Sequence, residues 1–130
     1  MATIFSKIIN GEIPSYKIAE NDRFFAFLDI NPMSKGHTLV VPKQEIDYLF
    51  DLDDTLLAEM TVFAKQVARS IKQAIPCTRV GVMVIGLEVP HAHIHLIPIQ
   101  KESDMSLSNP RLKLAKEEFE EIAGRIREYL

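Results

Sequence analysis

The sequence lacks the features that mark several classes of protein. Its 130 residues include one cysteine, Cys77, and no tryptophan. A single cysteine cannot form an intrachain disulfide, which favours a reducing, cytoplasmic compartment. No apolar run approaches the ~20 residues that a membrane-spanning helix needs. Because Lys7 and Glu12 interrupt the apolar start of the chain, we expect neither a signal peptide nor a membrane segment.

The chain also lacks an excess of positive charge. It has 15 Lys and Arg against 18 Asp and Glu, a formal net charge of −3. Binding to nucleic acid phosphates requires a strong cationic surplus, so we expect no nucleic acid partner. The length suits one domain, and no linker or repeat divides it. We therefore expect residues 1–130 to form a single domain.

Two segments have helical periodicity. From Leu56 to Ile75, apolar residues recur at intervals of three and four, with Asp53 or Asp54 as a candidate N-cap. The second segment runs from about Pro110 to Leu130, with Asn109 at the expected N-cap. A shorter helix is expected near the N-terminus.

Five shorter segments, rich in valine, isoleucine and phenylalanine, are candidate strands. They are Ser15–Glu20, Phe24–Asp29, Thr38–Pro42, Val80–Ile85 and Ala92–Ile99. The first two are separated by the short turn Asn21-Asp22-Arg23, which is typical of a hairpin. The pattern predicts an α+β fold with a five-stranded, largely antiparallel sheet, a long central helix and a C-terminal helix.

Three of the four histidines stand at alternate positions in the segment His91-Ala92-His93-Ile94-His95. On a strand, residues two apart share a face, so the three imidazoles would line one side. A metal site is one explanation, but residues four apart on a strand are roughly 13 Å apart. His91 and His95 could not then both bind one zinc ion at ~2.1 Å, so we expect no metal.

Phosphoryl chemistry is the second explanation for the row. A neutral imidazole is a nucleophile near pH 7, and an imidazole N–H can donate to phosphate oxygens. The fourth histidine, His37, begins the candidate strand Thr38–Pro42 and could reach the row across the sheet. A row of solvated surface histidines is the remaining alternative.

The His-x-His-x-His pattern resembles that of the histidine triad (HIT) family of nucleotide hydrolases and transferases. Three other segments resemble family motifs in the same order along the chain. They are TIFSKII at Thr3–Ile9 followed by Glu12–Pro14, AFLDINP at Ala26–Pro32, and GHTLVVPK at Gly36–Lys43. The resemblance covers residues 1–99, and residues 106–130 match no family motif.

The resemblance implies roles for the four histidines. His93 would be the nucleophile that forms a nucleotidyl-histidine intermediate, which water then hydrolyses. His95 would contact the scissile phosphate and the leaving group, and His91 would organise the triad. His37 would support the nucleophile through a hydrogen bond.

The resemblance also implies a nucleotide pocket and a homodimer whose two sheets join into one. Asp29 would bind the ribose hydroxyls, and four apolar residues would surround the purine: Phe5, Ile8, Phe27 and Ile30. Core packing is the alternative role for Phe5, Ile8 and Phe27. The loop before the triad departs from the family pattern, because Gly86 and Glu88 stand where relatives carry polar residues that hold the α-phosphate. A carboxylate beside a phosphate is repulsive unless it bonds a histidine or a backbone N–H, so Glu88 either orients an imidazole or points away.

These observations predict a hydrolase of purine nucleoside phosphoramidates or related nucleotide esters that needs no metal or other cofactor. Three alternatives stay open. They are a hydrolase of dinucleoside polyphosphates, a nucleotide-binding module without turnover, and a zinc-holding structural protein.

Overall fold

A computed structural model describes residues 2–130 of the chain. It contains three α-helices: α1 (Ile4–Ile9), α2 (Asp54–Ala74) and α3 (Lys116–Arg127). The five strands are β1 (Lys17–Glu20), β2 (Phe24–Leu28), β3 (Thr38–Pro42), β4 (Arg79–Met83) and β5 (Ile94–Ile99). Short 3₁₀ helices at Leu49–Asp51 and Glu102–Met105 complete the described elements.

The five strands form one sheet in the order β1-β2-β3-β5-β4, and every neighbouring pair is antiparallel. This confirms the predicted α+β class and antiparallel sheet. The predicted turn between β1 and β2 is present, because the Asn21 side-chain oxygen accepts hydrogen bonds from the backbone N–H groups of Arg23 and Phe24. Such local side-chain bonds are why asparagine favours turns.

The long helix α2 agrees with its predicted periodicity. Asp53 is its N-cap, and the carboxylate accepts a hydrogen bond from the Leu56 backbone N–H at 2.7 Å. The helix ends at Ala74, two residues before Pro76, where the proline disfavours helical backbone in the residue that precedes it.

The predicted start of the C-terminal helix is wrong. The helix α3 begins at Lys116 with Ala115 as its N-cap, not at Asn109 and Pro110. The intervening segment runs along the loop after β2, where the Leu112 N–H donates a hydrogen bond to the Pro32 carbonyl at 2.9 Å. This tertiary hydrogen bond forms in a segment where local propensity favours helical ones.

The two faces of the sheet have different partners. Helices α2 and α3 cover one face with buried apolar side chains that include Met60, Ile71, Phe119 and Ile126. Burying each such side chain stabilises the fold by about 1.5–3 kcal/mol. A smaller cluster occupies the other face, which we call the α1 face, and consists of Phe5, Phe25, Phe27, Leu39 and Val41. Within residues 2–130, no helix is long and apolar enough to cross a membrane.

Candidate active site

The sheet register brings the four histidines together. His37 lies just before β3 and His95 lies in β5, and these strands pair with Leu39 opposite His95. The chain enters β3 through Gly36, whose φ of +95° is unfavourable for other residues. A Cβ atom there would lie 3.0 Å from the Ile75 side chain, so glycine also provides the space that this approach needs.

The histidine row extends beyond the strand that carries it. Strand β5 begins at Ile94, so His91 and His93 precede it, although the alternation of faces holds. The intervening Ala92, Ile94 and Leu96 belong to the core under α2 and α3. On the opposite side, the Phe5 ring contacts His91 and His93 with centroid distances of 5.8 and 5.0 Å.

His91 is fully buried and its tautomer is determined by its neighbours. Its Nε2 lies 2.7 Å from the Pro42 carbonyl oxygen, which can only accept, so Nε2 carries the proton. Nδ1 then accepts a hydrogen bond from the Thr3 hydroxyl at 2.8 Å. Burial lowers the pKa of His91, which favours this neutral form.

His93 presents a free nitrogen lone pair. Its Nδ1 lies 2.7 Å from the His91 carbonyl oxygen, so Nδ1–H donates and the lone pair of a neutral ring is on Nε2. The His95 ring packs beside it at a centroid distance of 5.0 Å. This is the tautomer that a nucleophilic imidazole requires.

His37 contacts His95 rather than His93. The Met33 backbone N–H donates to His37 Nδ1 at 3.0 Å, so the proton of a neutral His37 is on Nε2. This Nε2–H donates to His95 Nδ1 at 2.9 Å and leaves His95 with its own proton on Nε2. The expectation that His37 hydrogen-bonds His93 is therefore wrong: the Nδ1 partner of His93 is a backbone carbonyl, and His37 bonds the neighbouring ring of His95.

Burial keeps these two rings neutral. Burial, together with the nearby His95 and Arg111, lowers the pKa of His37 to about 3. Burial likewise lowers the pKa of His95 to about 4, together with His93 and Arg111. Near pH 7 the pair can therefore retain one Nε2–H donor on each ring.

Asp29 follows β2 and lies next to the histidine pair. Its Oδ1 accepts a hydrogen bond from the Asn31 N–H at 2.8 Å, and its Oδ2 lies 3.6 Å from His37 Nε2. Burial raises the pKa of Asp29, whereas the Asn31 bond and the Arg111 charge lower it. A half-buried carboxylate with a free oxygen can accept hydrogen bonds from a ligand's hydroxyl groups.

Asp29, His37 and His95 also have potential metal-ligand atoms within 4.8 Å of one another. Their hydrogen bonds oppose metal binding. His37 Nε2 carries the proton because Nδ1 receives the Met33 N–H, so its lone pair is not available to a cation at this position. The observed 2.9 Å bond from His37 Nε2 to His95 Nδ1 occupies one nitrogen of each ring.

The other candidate nucleotide-binding residues differ in exposure. Phe5 and Phe27 are buried in the α1-face cluster with ring centroids 5.6 Å apart, and Ile8 packs against it. Ile30 is 64% exposed and lines a cleft of about 730 Å³ between the start of β1 and α3.

The loop between β4 and β5 contains the other two candidates. Gly86 has a φ of +80° and open space around it. Glu88 is exposed, and its charge contributes to raising the pKa of Asp29. Within residues 2–130, Glu88 forms no hydrogen bond to a histidine, which agrees with the alternative in which it points away.

Four groups around the site were not predicted from the sequence. Met33 and Pro42 act through their backbones, so their residue types carry no chemical signal. Thr3 stands before a short helix as an N-cap residue does, and this pattern could have identified it. Arg111 lies in the segment that was predicted to be helical. A charged residue of that helix would be expected to face solvent and not the site.

Comparison with known proteins places this chain in a family. A model described as HIT domain matches residues 10–102. An uncharacterized HIT-like protein from Borreliella burgdorferi is 37% identical over 131 residues, covering 95% of this chain and 94% of the relative. An adenosine 5′-monophosphoramidase from Schizosaccharomyces pombe is 34% identical over 133 residues, covering 98% of this chain and all of that protein. The crystal structure of a HIT-like protein from Bartonella henselae matches with a TM-score of 0.85 and 34% identity, covering 98% of this chain and 96% of that one.

Proposed function

The chain belongs to the HIT family, and on that premise we propose that it hydrolyses purine nucleoside phosphoramidates or related nucleotide esters through His93. Family membership and the named monophosphoramidase relative support nucleotide hydrolysis as the general activity. Beyond this general activity, we propose that the substrate contains a purine and a phosphoramidate bond, and that the reaction passes through a covalent intermediate.

One observation carries the proposal: the hydrogen bond of 2.7 Å from His93 Nδ1–H to the His91 carbonyl. It leaves the Nε2 lone pair as the reactive group. Because the acceptor is a backbone oxygen, the tautomer does not depend on the protonation of another side chain. Such a ring is prepared to attack phosphorus without a metal.

In the proposed reaction, His93 Nε2 forms a bond to the α-phosphorus as the bond to the leaving group breaks. The leaving amine or alkoxide takes the Nε2 proton of His95, and a nucleotidyl-histidine remains. Water then attacks the phosphorus and gives one proton back to His95 Nε2, the P–N bond to His93 breaks, and a nucleoside monophosphate is released. Proton donation of this kind typically contributes 10²–10⁴-fold to rate.

The half-buried carboxylate of Asp29 suits the two ribose hydroxyls. The apolar groups proposed for the purine are Phe5, Ile8, Phe27 and Ile30. The loop with Gly86 and Glu88 would border the phosphate, where the open space at Gly86 admits a ligand. An exposed Glu88 is consistent with a substrate whose leaving group is not strongly anionic.

The decisive experiment compares adenosine 5′-phosphoramidate with a diadenosine polyphosphate as substrates. We expect much faster turnover of the phosphoramidate, and comparable rates on both would refute the preference. Acid-quenched wild type should carry a covalent nucleotide, and His93→Ala should carry none. Tight AMP binding without turnover or a trapped adduct would instead identify a nucleotide-binding module.

We also propose that the protein is a homodimer joined through β4. This strand is an edge of the sheet, and unpaired edges invite pairing with another chain. Apolar side chains are exposed on it and on the following loop: Val82, Val84, Ile85 and Leu87. A two-fold axis beside β4 would join two sheets into one and create two equivalent sites.

Light scattering after gel filtration tests the dimer. Val82→Asp should yield a monomer, because it places charge at the proposed strand pair. Val62→Asp is the matched control, since Val62 on α2 is similarly exposed at 55% against 63% for Val82. A monomeric wild type would contradict the proposal.

We propose a cytoplasmic location, as the single free cysteine Cys77 predicts. Cell fractionation tests it, and recovery of the protein outside the cytoplasm would contradict it.

A further inference from the structure

We propose that Arg111 is a positioning residue of the nucleotide site, because it holds the turn that presents the Asp29 carboxylate. The inference rests on the proposed function, in which Asp29 receives the ribose hydroxyls. It assigns a role to the segment after the triad, which lies outside the part of the chain that the family model matches.

A short chain of hydrogen bonds connects Arg111 to Asp29. The Arg111 guanidinium Nη1 donates to the Asn31 carbonyl oxygen at 2.9 Å. The backbone N–H of the same Asn31 donates to Asp29 Oδ1 at 2.8 Å. The guanidinium therefore holds the residue whose N–H orients the carboxylate, and leaves Oδ2 as the freer acceptor.

Neighbouring contacts determine where Arg111 lies. The Leu112 N–H donates to the Pro32 carbonyl at 2.9 Å, so the backbone of this segment is attached to the same turn. Leu114 lines a small space that Asp29 and His37 also border. The approach of Arg111 is thus maintained by the backbone and the core, not by the long arginine side chain alone.

The charge of Arg111 is also suited to this place. Burial disfavours the ionised form of Asp29, and the Arg111 charge opposes that effect by lowering the pKa. None of the ion pairs formed by residues 2–130 includes Arg111, so its guanidinium is not held in a direct salt bridge with another residue. An ionised carboxylate is the better acceptor for two hydroxyl groups.

This role predicts a specific effect on ribose recognition. Loss of the guanidinium should weaken binding of ligands that use Asp29, and should spare ligands that lack both ribose hydroxyls. At an exposed site, we expect the affinity for AMP to fall about 5- to 10-fold.

The experiment measures binding of AMP and of 2′,3′-dideoxyadenosine monophosphate by calorimetry. Wild type should bind AMP more tightly than the dideoxy nucleotide. In Arg111→Ala, the ratio of the two affinities should lose most of its value. The affinity of Arg111→Ala for the dideoxy nucleotide should equal that of wild type. Lys113→Ala is the matched control, because it removes one positive charge from an exposed residue of the same segment and should leave both affinities unchanged.

Two results would overturn the assignment. Equal weakening of both nucleotides in Arg111→Ala would indicate a general charge effect or a structural role. An unchanged ratio would show that Arg111 does not act through Asp29. Because binding is measured without turnover, either result leaves the hydrolase proposal intact, whereas failure of wild type to bind AMP would refute both.

Discussion

At the scale of single residues, the site depends on which nitrogen of each ring carries its proton. A backbone group determines three of the four tautomers directly: the Pro42 carbonyl acts on His91, the His91 carbonyl on His93, and the Met33 N–H on His37. The fourth, that of His95, follows from His37. Backbone groups do not titrate, so in these three rings the preferred tautomer of the neutral form does not depend on the protonation of another side chain.

His37→Ala tests whether His37 acts through His95, the residue proposed to protonate the leaving group. Without the 2.9 Å bond from Nε2, His95 can place its proton on either nitrogen, so donation to the leaving group becomes less effective. We expect kcat on adenosine 5′-phosphoramidate to fall about 10- to 100-fold, within the contribution of general acid catalysis. Steady-state kinetics with separate kcat and KM values measure this.

A substrate with an acidic leaving group provides the control. The p-nitrophenyl ester of AMP needs no proton at its leaving group, so His37→Ala should turn it over nearly as fast as wild type. His37→Gln should recover part of the phosphoramidate activity, because its amide N–H can reach the position of Nε2. An equal loss on both substrates would place the effect at the nucleophile His93.

At the scale of elements, side-chain periodicity was sufficient to predict the sheet, the long helix and the row of histidines. It failed at the start of α3, because Asn109 and Pro110 carry a helix-start pattern whose local preference is weaker than the hydrogen bonds at Arg111 and Leu112. The partner of His37 was implied by the family resemblance and not by periodicity, and it was wrong because the distance between two rings depends on strand register and not on spacing along one strand.

Thr3, the N-cap of helix α1, also contacts a histidine of the candidate site. The Thr3 hydroxyl oxygen accepts a hydrogen bond from the Ser6 N–H as N-cap, and the hydroxyl donates to His91 Nδ1. Thr3→Val keeps the shape and removes both interactions. We expect a loss of about 2–4 kcal/mol in the free energy of unfolding, from the lost cap and from a buried acceptor left without a donor.

Urea denaturation of Thr3→Val and Thr3→Ser measures this effect. Serine keeps the hydroxyl, so Thr3→Ser should lie within about 1 kcal/mol of wild type. A small and equal loss in both variants would mean that the two hydrogen bonds contribute little. The nitrogen chemical shifts of His91 provide a second measure, because loss of the Thr3 donor should change Nδ1 and leave the Nε2–H bond to Pro42.

At the scale of the whole molecule, the sheet separates two tasks. The face under α2 and α3 holds most of the buried apolar side chains, and the α1 face holds the histidines against a smaller aromatic cluster. Neutral imidazoles can be buried there without opposite charges, but a protonated ring would be costly. Global stability should therefore depend on pH through the same rings that are proposed to act in catalysis.

The free energy of unfolding should decrease as the pH falls below about 6.5. In the folded protein the pKa values of His37 and His95 are about 3 and about 4, against an ordinary value of 6.5, so the unfolded chain takes up protons first. Above pH 6.5 these rings are neutral in both the folded and the unfolded state, so they do not change the free energy of unfolding with pH. Between about pH 6.5 and 4, the free energy of unfolding falls by up to about 1.4 kcal/mol per pH unit for each ring. Burial raises the pKa of Asp29, and this shift acts on the free energy of unfolding in the opposite direction. Urea denaturation at pH 7, 6 and 5 measures the slope, and His95→Gln should reduce it by the share of one histidine. A slope that is flat, or unchanged in His95→Gln, would show that these rings are not held neutral by the fold.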